Sequence, residues 1–370
     1  MKRMLLFAAV FLLIGGGALC EGAEALLKSI DTQALDEVLA QNGAELKFSS
    51  LVQAFLSGEW EMDPSKAFKW LKNIAFGSFS AIYEFIPVVA LPVLIWSVVK
   101  CLFPDSGAGR TRSAGYLVRV VMSLSLLRLF REIYLAAENA LQVLSGLTDA
   151  LVPVLVTLLT LTGGTRSAAL ITPMGALASR MTSHVISEAS LLLVSVTAAL
   201  SVANTLGGLR LKRLYDFVKR LNKWLLSTML GAYIAMMSTG GLIAGAYDGA
   251  MLKGAKYAAD QLLPIVGGDI AGAMDSLKAS AQLVRSASGI AALIALSYIS
   301  IKPMLLSFMA SMGLKLFSAL TEPVSDEDIG DLLDRFSFVF SNLLSVVAAA
   351  SAIILILIGA TIGLGERILG

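Results

Sequence analysis

Few side chains in this sequence could do chemistry, and most of those lie in or beside apolar stretches. Glu84 and Asp149 are carboxylates near or within long apolar runs. Pro87 and Pro92 follow the first, and Pro153 follows the second. A carboxylate held among apolar helices is costly to ionise, so it marks ion or proton sites in transport proteins. The plainer reading of Glu84 is a hydrated group at the outer interface, favoured by its place just before the uncharged run that starts at Phe85. Asp149 lies deeper in its run, and there the two readings stand level. Lys302-Pro303 interrupts another apolar stretch. The proline is expected to break the helix and the lysine to reach for the inner surface. The stretch 304–320, beyond the proline, reads as a half-span or an interfacial helix. The segment 263–269 contains Pro264, Gly267 and Gly268. Paired glycines there allow a tight turn or a re-entrant loop, and an ordinary turn outside the membrane is the plainer alternative. No lysine at phosphate-loop spacing accompanies it, so nucleotide binding is not supported.

A second group is cationic. Arg210, Lys212, Arg213, Lys219, Arg220 and Lys223 stand against one acid, Asp216. Leu211, Leu214, Tyr215, Val218, Leu221 and Leu225 fall on one helical face, with the cations opposite. Such a helix anchors to anionic lipid and fixes orientation. A sharper role is docking of a cytoplasmic partner such as a motor ATPase. The remaining chemistry is sparse. One histidine, His184, rules out a multi-histidine metal site. Two cysteines, Cys20 and Cys101, offer neither a metal cluster nor a disulfide framework. No Ser-His-Asp set or paired carboxylates emerge. The chain is read as a non-enzyme with no cofactor, and its net charge of +2 gives no field for nucleic acid.

These residues must be positioned by elements that suit lipid. Of 370 residues, 56% are apolar and 15% charged, and the mean hydropathy is +0.78. A soluble domain is nearer one quarter charged. The apolar residues form long uncharged runs, and in lipid only helices or closed barrels satisfy the backbone. The expected fold is all-α, a polytopic transmembrane helix bundle. Spans are expected at 74–103, 141–165, 189–209, 224–247, 286–314 and 336–365 within a membrane domain of 74–365. The stretch 116–138, broken by Arg119, Arg128, Arg131, Glu132 and Glu138, reads as an interfacial amphipathic helix or as a seventh span.

At the N-terminus, Lys2 and Arg3 precede an apolar stretch, and Ala18-Leu19-Cys20 permits cleavage before Glu21. Residues 1–20 are read as a cleaved signal peptide, with an uncleaved anchor helix as the alternative. The acidic region 21–73 is then extracytoplasmic. Ile30, Leu35, Val38 and Leu39 share a helix face there, Gly43 is a plausible stop, and Asp63-Pro64 resembles a helix start. These short helices pack on the membrane part or on a partner. With alternating spans, the basic segments after the first and third spans fall inside, as the positive-inside rule expects. The acidic stretch 322–334 breaks that pattern. The helical lead-ins at 214–226 and 333–344 both run from inside to outside, a weak sign of a parallel repeat.

Three ordered stretches resemble a known family. They are Lys223-Trp224-Leu225-Leu226; Pro264-Ile265-Val266-Gly267-Gly268, followed by Leu283-Val284-Arg285 and Gly289; and Lys302-Pro303, followed by Ala319 to Asp326. Their order and spacing resemble the stage III sporulation protein AE family, across roughly 60–365. Asp269 departs from the pattern, where an apolar residue is expected after the paired glycines. The resemblance implies a membrane subunit, channel or platform, of a transenvelope secretion or feeding complex in the mother-cell membrane around the forespore. It also implies partners: ring-forming membrane proteins and a secretion-type ATPase. It transfers no catalytic residues. The alternative is a secondary transporter for a small solute, using Glu84, Asp149 and the broken fifth span.

Overall fold

The computed structural model describes residues 32–41, 47–57, 72, 85–102, 108–206, 211–262, 267–322 and 327–369. Every regular element among them is helical. Two short helices, α1 (Gln33–Gln41) and α2 (Phe48–Leu56), precede α3 (Phe85–Leu102). Five long helices follow: α4 (Ala108–Leu161), α5 (Thr165–Leu206), α6 (Lys212–Leu262), α7 (Gly267–Thr321) and α8 (Glu327–Leu369). Each of the five is long and apolar enough to cross a membrane. Their candidate spanning parts run from 36 to 47 residues, where about 20 suffice for a 30 Å hydrocarbon core. The 54 residues of α4 reach about 80 Å at 1.5 Å per residue. These helices therefore continue well past the lipid they can cross.

α8 packs against α4, α5, α6 and α7. Phe336, Phe340, Leu343, Val347, Ala350, Ile354, Leu357 and Thr361 are all buried and recur at alternating steps of four and three residues. That period keeps one stripe of the helix turned inward. Its largest contact is with α7, in which small residues are buried, Ala287, Ala291, Ala292 and Ala295 among them. At Gly289 an added Cβ would come 2.5 Å from Ile362 Cδ1, so glycine lets the two helices approach without displacing that side chain. In lipid, moving a leucine from acyl chains to protein gains little, so close packing and polar contacts hold the helices together. Ser145 and Ser179 hydroxyls lie 3.0 Å apart, Ser190 Oγ donates to Asn222 Oδ1 at 2.6 Å, and Ser337 Oγ donates to the Ser311 carbonyl at 2.9 Å.

Several expectations change. The stretch 116–138 is the first half of α4 and continues into the expected 141–165 span. Its residues between Tyr116 and Gly146 include no glycine or proline, so nothing stops the helix. The expected span 141–165 overruns a turn at Gly163-Gly164, and the segment after it is helical again from Thr165. The segment 248–285 is mostly helix too, the end of α6 and the start of α7. The helix does not break at Lys302-Pro303: α7 runs through Pro303. The missing proline N–H frees one carbonyl, but Ile299, Ser300 and Ser307 on either side of it are buried, and that packing holds the helix on course. Gly267 and Gly268 open α7, and 263–266 lie outside the described residues.

Before the long helices, α1 lies against α4, with Val38 Cγ2 3.8 Å from the Cβ position of Gly146, and α2 packs on α7. Asp36 joins the two short helices by accepting from the Ser49 N–H (3.2 Å) and Oγ (2.8 Å). The segment 1–20, Gly43, Asp63-Pro64, and the 74–84 part of the first expected span lie outside the described residues.

Candidate functional site

The site is built on the hairpin of α4 and α5. Gly163 has φ 88°, the left-handed region that glycine enters without strain. The Gly164 N–H bonds the Leu159 carbonyl and the Gly163 N–H bonds the Thr160 carbonyl, both at 2.9 Å. This is a Schellman closure, which satisfies the last carbonyls of α4. Gly164 then becomes the residue before α5, and it has no side chain to cap that helix. The cap comes from a distant helix. Asp248 on α6, 1% exposed, accepts from the N–H of Arg166 (3.0 Å) and of Ser167 (2.8 Å). A carboxylate at a helix N-terminus satisfies free donors and meets the positive end of the dipole. The Arg166 guanidinium lies 4.4 Å from the Tyr247 ring centroid. Arg285 of α7, also buried, donates to Thr162 Oγ1 at 3.2 Å. Helices α6 and α7 thus both hold the turn between α4 and α5.

A turn at Gly163 brings Glu138 opposite Glu188, each 25 residues away along the chain. There a cleft of about 450 Å³ opens between the helices. Tyr134, Glu138 and Gln142 line it from α4, four residues apart on one face. Ser183, Ser187, Glu188 and Ser195 line it from α5. The α5 side is a π-helical stretch, Met181–Ser190. Its wider turns shift the side chains off the ordinary helical register, and such segments often lie at functional sites. His184 Nδ1 is 3.0 Å from Glu188 Oε1 at the exposed rim. Two carboxylates, hydroxyls and an amide, with no lysine or arginine among them, suit an ammonium group or a hydrated cation.

The residues singled out in the sequence fall elsewhere. Asp149 is exposed on α4 and does not line this cleft. Lys302 is exposed on α7, with Pro303 buried beside it. Glu84, Pro264 and Arg210 lie outside the described residues. Lys212, Arg213, Arg220 and Lys223 are exposed along α6. Lys219 Nζ lies 3.7 Å above the Phe338 ring of α8, and Arg119 pairs with Asp328. The cationic start of α6 therefore packs beside the start of α8. Glu138, Glu188, Asp248 and Asn342 had not been singled out. The signal that could have found the two glutamates is Gly163-Gly164, read as a hairpin rather than as the end of a span.

Long apolar helices, tied by small and polar contacts and carrying a polar cleft at a hairpin, define a multi-pass α-helical membrane protein. Comparison with known proteins then sets the family. A family model described as stage III sporulation protein AE matches residues 46–365, and the chain belongs to that family. It is a sporulation membrane protein. It is similar to stage III sporulation protein AE of Bacillus subtilis (strain 168), 23% identical over 344 residues, which cover 90% of this chain and 84% of that protein. No solved structure matches.

Proposed function

We propose that the chain is the membrane subunit, channel or platform, of a transenvelope complex between mother cell and forespore, seated in the mother-cell membrane. One observation carries this reading. The five apolar helices overrun a bilayer by 16 residues or more each, taking about 20 as the crossing length. Helix that continues beyond lipid offers surface to partners. The exposed cations of α6 would meet a cytoplasmic secretion-type ATPase, and the region 21–73 would meet ring-forming proteins between the membranes. The reading assigns the chain no catalytic step. Purification in mild detergent from sporulating cells tests it: ring proteins and the ATPase should co-purify. A protein that purifies alone and moves a solute in liposomes would overturn it.

A secondary transporter remains the second reading, and the Glu138–Glu188 cleft is the observation that favours it. The sites first expected for it lend less. Asp149 and Lys302 are exposed, and α7 is unbroken at Pro303.

A further inference from the structure

α6 and α8 lie side by side and run in the same direction. Lys219 meets Phe338 near their starts, and both Leu230 and Ala349 lie further along one shared cleft of about 570 Å³. On α6 the first cluster of charged residues ends at Lys223, and an uncharged run begins at Trp224 and lasts to Tyr247. Trp224 is 64% exposed, and tryptophan at such a boundary marks the level of the lipid headgroups. The cleft descends from that level. Lys223 stands at its mouth, and Leu226, Leu230, Ala349 and Ala352 line its apolar length. Asn342 lines the same end as Lys223 and is 5% exposed. Its Nδ2 has no hydrogen-bond partner among the described residues. A buried amide donor of this kind requires an acceptor.

These features specify a ligand. The mouth calls for an anion, the next level for a hydrogen-bond acceptor, and the remainder for a slim apolar chain. The volume falls within the usual range for small-molecule sites, about 300–1,000 Å³. From Asn342 to Ala352 the slot runs only about 15 Å along the helix, too short to seat a partner's spanning helix of about 20 residues. An apolar partner helix would also bring no anion for Lys223.

We propose that this cleft is a specific site for one anionic phospholipid. The phosphate sits at Lys223, a glycerol-ester carbonyl accepts from Asn342 Nδ2, and one acyl chain lies along Leu226, Leu230, Ala349 and Ala352. The proposal needs only that α6 and α8 cross a membrane; it does not depend on the transenvelope role.

The test uses the full-length protein in detergent, with dioleoyl phosphatidylglycerol or dioleoyl phosphatidylcholine added and retained lipid counted by native mass spectrometry. One phosphatidylglycerol should be held in preference to phosphatidylcholine. Lys223→Gln should weaken its retention about fivefold, the effect of one lysine on an anionic headgroup. Ala352→Phe, which fills the slot, should abolish retention of both lipids. Arg220→Gln does not line the cleft and should change nothing. Circular dichroism shows whether Ala352→Phe folds, and the exposed Lys223 keeps the test decisive if it does not. Equal retention of the two lipids, or an unchanged Lys223→Gln, overturns the proposal. Full displacement by excess inorganic phosphate would overturn it too, since the acyl chain would then contribute nothing. So would a Ser345→Cys variant that cross-links to another protein's spanning segment while the purified chain retains no phosphatidylglycerol.

Discussion

Asp248→Ala removes both acceptors from the first turn of α5. The two contacts are hydrogen bonds to a charged group, at 3.0 and 2.8 Å, and bonds of that kind contribute about 1.5–3 kcal/mol each. They are not equivalent. Ser167 is fully buried, so its N–H would be left unsatisfied at a cost of about 1–3 kcal/mol. Arg166 is exposed, so water can take over much of its bond. Loss of an N-cap costs about 0.5–2 kcal/mol in other helices. A combined loss of about 2–4 kcal/mol is expected. It falls on the opening of the hairpin turn, because Gly164 gives the start of α5 no side-chain cap of its own. Hydrogen exchange in detergent reads this directly. The amides of Arg166 and Ser167 should exchange roughly 30- to 700-fold faster, since 1.4 kcal/mol is tenfold. Amides in the middle of α8 should keep their rates. Asp248→Asn retains one acceptor and should give about half the effect on the logarithmic scale. Unchanged exchange at Arg166 and Ser167 in the alanine variant would refute the argument that Asp248 caps this helix.

Two further outcomes rest on packing and exposure. A Cβ at Gly175 would run into both methyls of Val152, a branched and stiff neighbour. Gly175→Ala should therefore destabilise by about 1–3 kcal/mol, and Val152→Ala in the same chain should recover part of that loss; thermal unfolding followed by tryptophan fluorescence shows whether the two effects are non-additive. Asp149 is exposed on α4, so Asp149→Ala should change stability by no more than about 0.5 kcal/mol and should leave spore formation intact, whereas a transporter coupled through that carboxylate would lose function.

Much of the architecture is legible without coordinates, and the reason is lipid. A chain with so few charges in such long apolar runs has nowhere else to go, and in lipid the backbone must bond to itself within a helix. Among the described residues, the five runs after residue 140 each fall on one long helix, except that the first spills over its turn. The cationic face of 210–223 is legible for the same reason: one face suits lipid or a neighbouring helix and the other suits water. Where helices end is not legible from charge. Charge marks the edge of a span only if the helix stops at the membrane, and here α4 runs through Arg128, Arg131 and Glu138 because its local sequence gives no stop. Pro303 points the opposite way, since burial of the residues flanking it holds a helix that its own backbone would bend. The partners of the polar residues came only from tertiary structure. Glu138 and Glu188 line one cleft because a glycine turn lies midway between them, and Asp248 caps α5 from 81 residues beyond Ser167 because α6 packs against that turn. Hydropathy reports the solvent each residue prefers and carries no information on which residue faces it across a helix crossing. That is set by how the side chains pack.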